Sequence, residues 1–401
     1  MDDFDPHPAP GIPQRPVKGR GAPGNVAHRF SVETRHAEDD GWEPAAPANP
    51  RTRLLVDRAR SIISRNKSPD IGFDQSANPY RGCEHGCIYC YARPTHAFLG
   101  LSPGLDFETQ IFMKPDAPRL LREELGHPDY VCSTIALGTA TDAYQPFERK
   151  EHLTRSLLEI FLETRHPVSV VTKSSLIVRD LDLWAKLAET RLAHVGVSLT
   201  TLDGALARQL EPRASAPQAR LEAMRRLAEA GIPVSAFVSP LIPGLNDREL
   251  EKLLTAARDH GATSAGYTLL RLPHEVAGLF REWLDAHAPE KASRIMSVLY
   301  DLRGGRANDA GFGSRMKGLG HYADLIRQRF ELACRRLDLA RDWPVLDTTG
   351  FRPPPAPRPV TSISSSTAKR ARPWRPSASS CRKSTWPPSS PTNATPGATR
   401  W

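Results

Sequence analysis

Five short runs of apolar, mostly β-branched residues punctuate the middle of the chain: STIALGTA (133–140), VSVVTKS (168–174), HVGVSLT (194–200), VSAFVSP (234–240) and SAGYTLL (264–270). They are nearly continuous rather than alternating, the pattern of strands buried on both faces. Between them apolar positions recur at helical spacing. Leu153, Leu157, Leu158, Phe161 and Leu162 form one face over 151–165. Leu221, Met224, Leu227 and Ala228 form another over 217–230, ended by Gly231 and Pro233. Asp247 stands where an N-cap would head the next helix. A sixth strand is expected near 72–82. Strands separated by helices predict parallel pairing through right-handed crossovers. About six such units are too few for a closed eight-fold barrel. The expected fold is therefore α/β, a partial (β/α)6 barrel, with flanking C-terminal helices near 276–300 and 318–339. Chemistry in parallel barrels gathers at the C-terminal ends of the strands.

The two ends of the chain read differently. Residues 1–50 are rich in Pro, Gly and Ala and predict a mobile N-terminal arm, in which GRGAPGNVAHRF (19–30) is able to dock on the body. Residues 51–340 form the expected core domain, and 341–401 a disordered Pro/Ser/Arg-rich tail. The net charge of +9 belongs to that tail. Residues 351–401 hold nine Lys/Arg and no Asp or Glu, which leaves 45 basic against 45 acidic residues in the rest. Net charge thus gives no argument for a polyanionic partner of the body. No apolar run has membrane-spanning length, and MDDFDPHPAPGIPQRPVKGR lacks the apolar centre of a signal peptide. A cytoplasmic protein without a membrane partner is expected.

Half of the six cysteines fall in RGCEHGCIYCYARP (81–94): Cys83, Cys87 and Cys90, spaced C-x3-C-x2-C. That is no disulfide framework. Three thiolates leave a metal one ligand short. A zinc ion would fill the gap with water or a ligand from elsewhere. His85 lies inside the loop, where closing a tetrahedron would strain it. A [4Fe–4S] cluster normally takes four thiolates, so three leave one iron open to a small molecule. Gly82 and Gly86 suit a tight loop. Cys132, Cys334 and Cys381 read as core or incidental cysteines.

The spacing resembles the signature of the radical S-adenosylmethionine (SAM) enzymes, with Tyr89 as the aromatic residue before the third cysteine. The stretches SPDIGFDQSANPYRGCEHGCIYCYARPTH, LGLSPGLDFETQI, GTATDAYQPFERK, TKSSLIVRDLD, LTTLDGALARQLEPRASAP and AGIPVSAFVSPLIPGLND lie between residues 68 and 247. They resemble the spore photoproduct lyase-like branch, labelled DNA repair photolyases; weaker similarity runs over 15–340. The resemblance implies that Cys83, Cys87 and Cys90 hold three irons while the amino and carboxylate groups of SAM chelate the fourth. It implies reductive cleavage of SAM, hydrogen abstraction by a 5′-deoxyadenosyl radical, and an electron donor such as a flavodoxin or ferredoxin. Tyr89 would face the adenine, which SPLIPGLND (239–247) would support. The turn of Gly138 and Thr139 would accept from the SAM amine; Asp142 would help or would cap the next helix. Lys173 would meet the carboxylate, Ser198 the ribose, and Arg213 the carboxylate or the substrate.

At the substrate the resemblance thins. Spore photoproduct lyase returns a hydrogen atom through a cysteine just past the second strand, and GTATDAYQP has none. Tyr144 is the nearby residue able to relay hydrogen. Three classes stay open: a radical SAM enzyme on nucleic acid, one on a small molecule or protein, and a non-catalytic Fe–S or zinc protein. For the first, Arg93, His96 and Phe98 of one loop and Tyr144, Phe147, Arg149 and Lys150 of another offer aromatic and basic contacts.

Overall fold

The computed structural model describes residues 17–31 and 50–355. Its strands are β1 Arg53–Val56, β2 Ile63–Arg65, β3 Gln75–Ala77, β4 Tyr80–Arg81, β5 Gln110–Met113, β6 Ile135–Leu137, β7 Val168–Thr172, β8 Ala193–Ser198, β9 Val234–Leu241 and β10 Ser264–Leu269. One sheet runs in the order β10-β9-β8-β7-β6-β3-β2. All neighbours from β3 to β10 are parallel, and β2 is antiparallel to β3. This is the expected six-stranded partial barrel, with β3 as the sixth strand. Every residue of β6 and β8 is buried, as continuous apolar runs require. Trp184, Phe161, Leu227 and Leu254 pack helices onto the barrel's outer face.

Several local expectations need correction. A second sheet, β1-β5-β4, was not foreseen. The helical face over 151–165 is broken at His152 (φ 53°) into Glu148–Glu151 and Leu153–Glu163. The buried Glu148 carboxylate accepts from Leu153 N and Thr154 N, capping the second piece. Asp247 is not an N-cap. It opens a short 3-10 turn, Asp247–Glu249, ahead of the helix Leu250–Asp259, and its carboxylate accepts from the Tyr322 hydroxyl. The helices Pro217–Glu229, Val276–His287, Pro289–Asp301 and Gly320–Leu337 lie where the periodicity places them.

Within the expected arm, residues 17–31 are packed rather than free. Within the expected tail, 341–355 run under the barrel: Trp343 lies 4.5 Å from the His194 ring and 5.9 Å from Phe237, and Phe351 lies 5.3 Å from His166. Aromatic rings hold this stretch where Pro, Ser and Arg could not. The other parts of both ends lie outside the described residues. The loop 303–318 crosses the open side of the barrel. Arg303 donates to the Leu269 and Leu270 carbonyls at the end of β10 (3.0 and 2.8 Å), and Arg315 Nε donates to Asp70 between β2 and β3 (2.7 Å). Among the described residues no helix is long and apolar enough to cross a membrane.

Candidate active site

The cysteine loop begins just after β4, and glycines allow its course. Gly82 (φ 79°) and Gly86 (φ 68°) have left-handed backbones. A Cβ on Gly82 would lie 2.8 Å from the Phe107 carbonyl, and one on Gly86 2.6 Å from a Glu108 carboxylate oxygen. Behind the loop, the guanidinium of Arg93 is fully buried and uses all five donors. Nε meets the Cys87 carbonyl (2.8 Å), Nη1 those of Pro103 and Gly104 (3.1 and 2.9 Å), and Nη2 that of Gly86 (3.0 Å) and the Glu108 carboxylate. Glu108 also accepts from the backbone N–H groups of Gly21 and Ala22 (3.0 and 2.9 Å), which ties residues 17–31 across the back of the loop. On its other side, Ile88 N donates to Leu210 O (3.0 Å) and Arg213 N to His85 O (3.2 Å).

The three thiols are free, those of Cys83 and Cys87 in buried residues and that of Cys90 in a half-buried one. Burial raises the pKa of each, and Asp142 and the other two sulfurs raise that of Cys83 further. Lys173, at the end of β7, opposes this at Cys87 and Cys90. Three crowded buried thiolates are stable only beside added positive charge, which an iron–sulfur cluster supplies. Among the described residues, no three His, Cys, Asp or Glu side chains converge as a single ion requires. Three free thiols spaced C-x3-C-x2-C are a donor set that suits a cluster.

The other expected residues are placed as follows. The Tyr89 hydroxyl donates to Glu211, and Thr200 Oγ1 lies 3.2 Å from it. Lys173 Nζ stands 5.8 Å from the centre of the Tyr89 ring. Gly138 (φ 73°) forms a turn shaped by Asn78, whose Oδ1 accepts from Ala140 N (2.8 Å) and whose Nδ2 donates to Thr139 Oγ1 (3.3 Å). The Thr139 carbonyl accepts from the Tyr91 hydroxyl. Ser198 Oγ donates to the Ser239 carbonyl (3.1 Å). Arg213, partly exposed, pairs with Glu84 inside the cysteine loop (3.0 Å).

Asp142 is a junction. Its carboxylate accepts from Tyr144 N (2.8 Å), Thr172 Oγ1 (2.7 Å) and Lys173 N (2.9 Å), and stands 3.3 Å from His85 Nδ1. Burial alone would raise its pKa, but His85 and these bonds hold it down at about 2. With its acceptor positions used, it ties the cysteine loop to β7 instead of waiting for an amine. Tyr144 does not reach the mouth: its ring lies in the main core and its hydroxyl accepts from Trp184 Nε1 (2.8 Å). Arg93 and His96 are likewise buried, so that of the three contacts expected there only Phe98 faces out, while Phe147 packs on the core and Arg149 and Lys150 stay exposed.

The sequence reading missed the buried group around Tyr89. Glu211 accepts from Thr200 and pairs with Arg220, both fully enclosed. Burial would raise Glu211, yet Arg220 and Lys173 hold it at about 2. A signal for it exists: Arg220 falls on the same helical face as Met224 and Leu227, so the periodicity puts a charge inward.

The sequence pattern of the Radical SAM superfamily matches residues 77–257, from the end of β3 through the helix after β9. An uncharacterized protein of Mycobacterium tuberculosis is 38% identical over 238 residues, 58% of this chain and 70% of that one. An uncharacterized protein of Methanocaldococcus jannaschii is 30% identical over 201 residues, 50% of this chain and 72% of that one. A solved structure of a spore photoproduct lyase mutant shares the fold, with a TM-score of 0.50, 16% identity, and coverage of 72% of this chain and 81% of that one. The match takes in all three thiols, and the relatives align along most of their length; this chain belongs to the radical SAM superfamily, enzymes that work with a [4Fe–4S] cluster and SAM.

Proposed function

We propose that this enzyme holds its cluster on Cys83, Cys87 and Cys90 and abstracts hydrogen from a nucleic-acid substrate. The observation that supports the first part most directly is the loop itself: three free thiols at the barrel mouth, in a loop held by Arg93, Glu108 and Asp142. When bound, the cluster and SAM supply reductive cleavage of the SAM sulfur–carbon bond and a radical that removes hydrogen from the substrate. Lys173, whose Nζ stands 5.8 Å from the Tyr89 ring, is the cation assigned to the SAM carboxylate in this reading. The Thr139 carbonyl keeps a second lone pair for the amine beside its bond from Tyr91. Ser198 can accept from a ribose hydroxyl while donating to Ser239. Arg213 is half committed to Glu84, and its outer donors face solvent. The Tyr89 ring, clamped at its hydroxyl, offers a flat wall for the adenine.

The electron comes from an external donor, for which a flavodoxin or ferredoxin is the natural class. A reducing cytoplasm suits thiols that must stay free. A shared fold with a lyase named for a spore photoproduct lends support to the nucleic-acid reading. The lyase's own route of hydrogen return does not carry over, since GTATDAYQP has no cysteine and Tyr144 is locked in the core. The deciding experiment is anaerobic reconstitution with iron and sulfide, then reductive SAM cleavage by wild type and Cys83→Ala. Wild type should release 5′-deoxyadenosine and the variant should not. A wild type that loads zinc and never cleaves SAM would sink the reading.

A further inference from the structure

Among the described residues, the mouth carries positive charge without a matching counter-charge. Arg271, two residues beyond β10, is half-buried; its Nε has no partner and Nη1 meets only the Met316 sulfur, at 3.6 Å. Arg303, only 3% exposed, gives its Nη groups to the carbonyls of Leu269, Leu270, Ser314 and Arg315, and its Nε is also unpartnered. The nearby carboxylates are engaged: Asp70 by Arg315, and Asp309 by Ser314 and Gly311. Burial and Arg315 push Arg271 below the usual guanidinium value; burial and Arg271 push Arg303 down to about 10. Buried charges are ordinarily paired, because leaving water without a counter-charge is costly.

Exposed rings flank this charge. Tyr91, next to the third cysteine, is 57% exposed and lies within the field of Arg271. Phe312 is 62% exposed, with the Arg315 guanidinium 4.9 Å from its centre. Arginines beside free aromatic faces take phosphates and stacked bases together. The nucleic-acid contacts expected at Arg93, His96 and Tyr144 are withdrawn into the interior, whereas Tyr91 and Phe312 at this seam stay exposed.

We propose that Arg271, backed by Arg303 and flanked by Tyr91 and Phe312, binds a phosphate group of the substrate at the seam between β10 and the loop 303–318. The carrier of that phosphate rests on the nucleic-acid reading above; the anion site itself does not. The test uses the anaerobically reconstituted full chain, as wild type, Arg271→Gln and Arg271→Lys. Dissociation constants are measured for inorganic phosphate, a short oligothymidylate and uncharged thymidine, and for SAM through its effect on the cluster's electron paramagnetic resonance. Arg271→Gln should weaken phosphate and oligothymidylate binding roughly tenfold, and leave SAM and thymidine within about twofold. Arg271→Lys should fall between, because it keeps the charge and loses the planar fork. It also carries the test if the Gln variant does not fold. Unchanged phosphate binding overturns the proposal, as does a wild type that binds no phosphate. Loss of SAM affinity in step with phosphate overturns it too, since Arg271 would then hold the cofactor. Phosphate binding that depends on Arg271, in a wild type that ignores oligothymidylate, upholds the site and removes the nucleic-acid reading instead.

Discussion

At the scale of residues, the site depends on charges enclosed in protein. Arg93 answers five acceptors, and Lys has only three donors without the fork. Arg93→Lys should therefore destabilise the fold by about 2–4 kcal/mol in urea denaturation. It should also lower iron content after reconstitution; a variant that loads as wild type does would show that the loop holds its shape without this staple. Glu211→Gln leaves Arg220 charged, buried and without a carboxylate, an expected cost of about 3–5 kcal/mol. Its denaturation midpoint, compared with that of Thr200→Ala, checks whether the charge or the hydroxyl matters more. These groups explain why the sequence was only partly legible. Three cysteines at fixed spacing lie within eight residues and announce themselves. Glu108 and Arg93 are 15 residues apart, and Asp142 and His85 lie 57 apart, so their pairing exists only in the folded chain. Arg93 and Tyr144 were read as contacts for substrate because aromatic and basic residues in loops look alike whether they face water or the interior.

Among the elements, legibility followed burial and length. β7, β8, β9 and β10 are five to eight residues long and enclosed, so each appears as an apolar run. β1, β2 and β4 have four residues or fewer, partly exposed, which is too short for any periodicity to show. The docking of GRGAPGNVAHRF was foreseen only as an option, for a related reason. Its docking rests on backbone N–H groups meeting Glu108, and composition is blind to backbone. A Cβ on Gly21 would stand 1.8 Å from the Gly86 carbonyl. Gly21→Ala should thus lift this segment from the cysteine loop. The expected outcome is faster bleaching of the reconstituted cluster in air, with barrel secondary structure unchanged by circular dichroism. Bleaching at the wild-type rate would mean that other contacts seal the loop.

For the molecule as a whole, three buried histidines set a pH limit. His96, His166 and His194 are all held at about 4, chiefly by burial. Unfolded histidine titrates near 6.5, so the unfolded chain takes up these protons first. Stability should be complete above about pH 6.5 and decline as pH falls toward 4, by up to about 1.4 kcal/mol per pH unit for each ring. Urea midpoints between about pH 7 and pH 5 test this; an unmoved midpoint would mean that protons reach the rings in the native state. Nucleic-acid binding also belongs at this scale, because the sequence places the net charge beyond residue 350. A chain ending at 355 should still bind oligothymidylate, with affinity falling as salt rises. Binding that vanishes with the tail would assign it to the tail.

The tie between Gly21, Ala22 and Glu108 also fixes an order of assembly. The anchor emerges from the ribosome after the last of the three cysteines, so the back wall cannot close until all the ligands have been made. The segment that carries Gly21 and Ala22, made first, thus waits for an anchor that is made last.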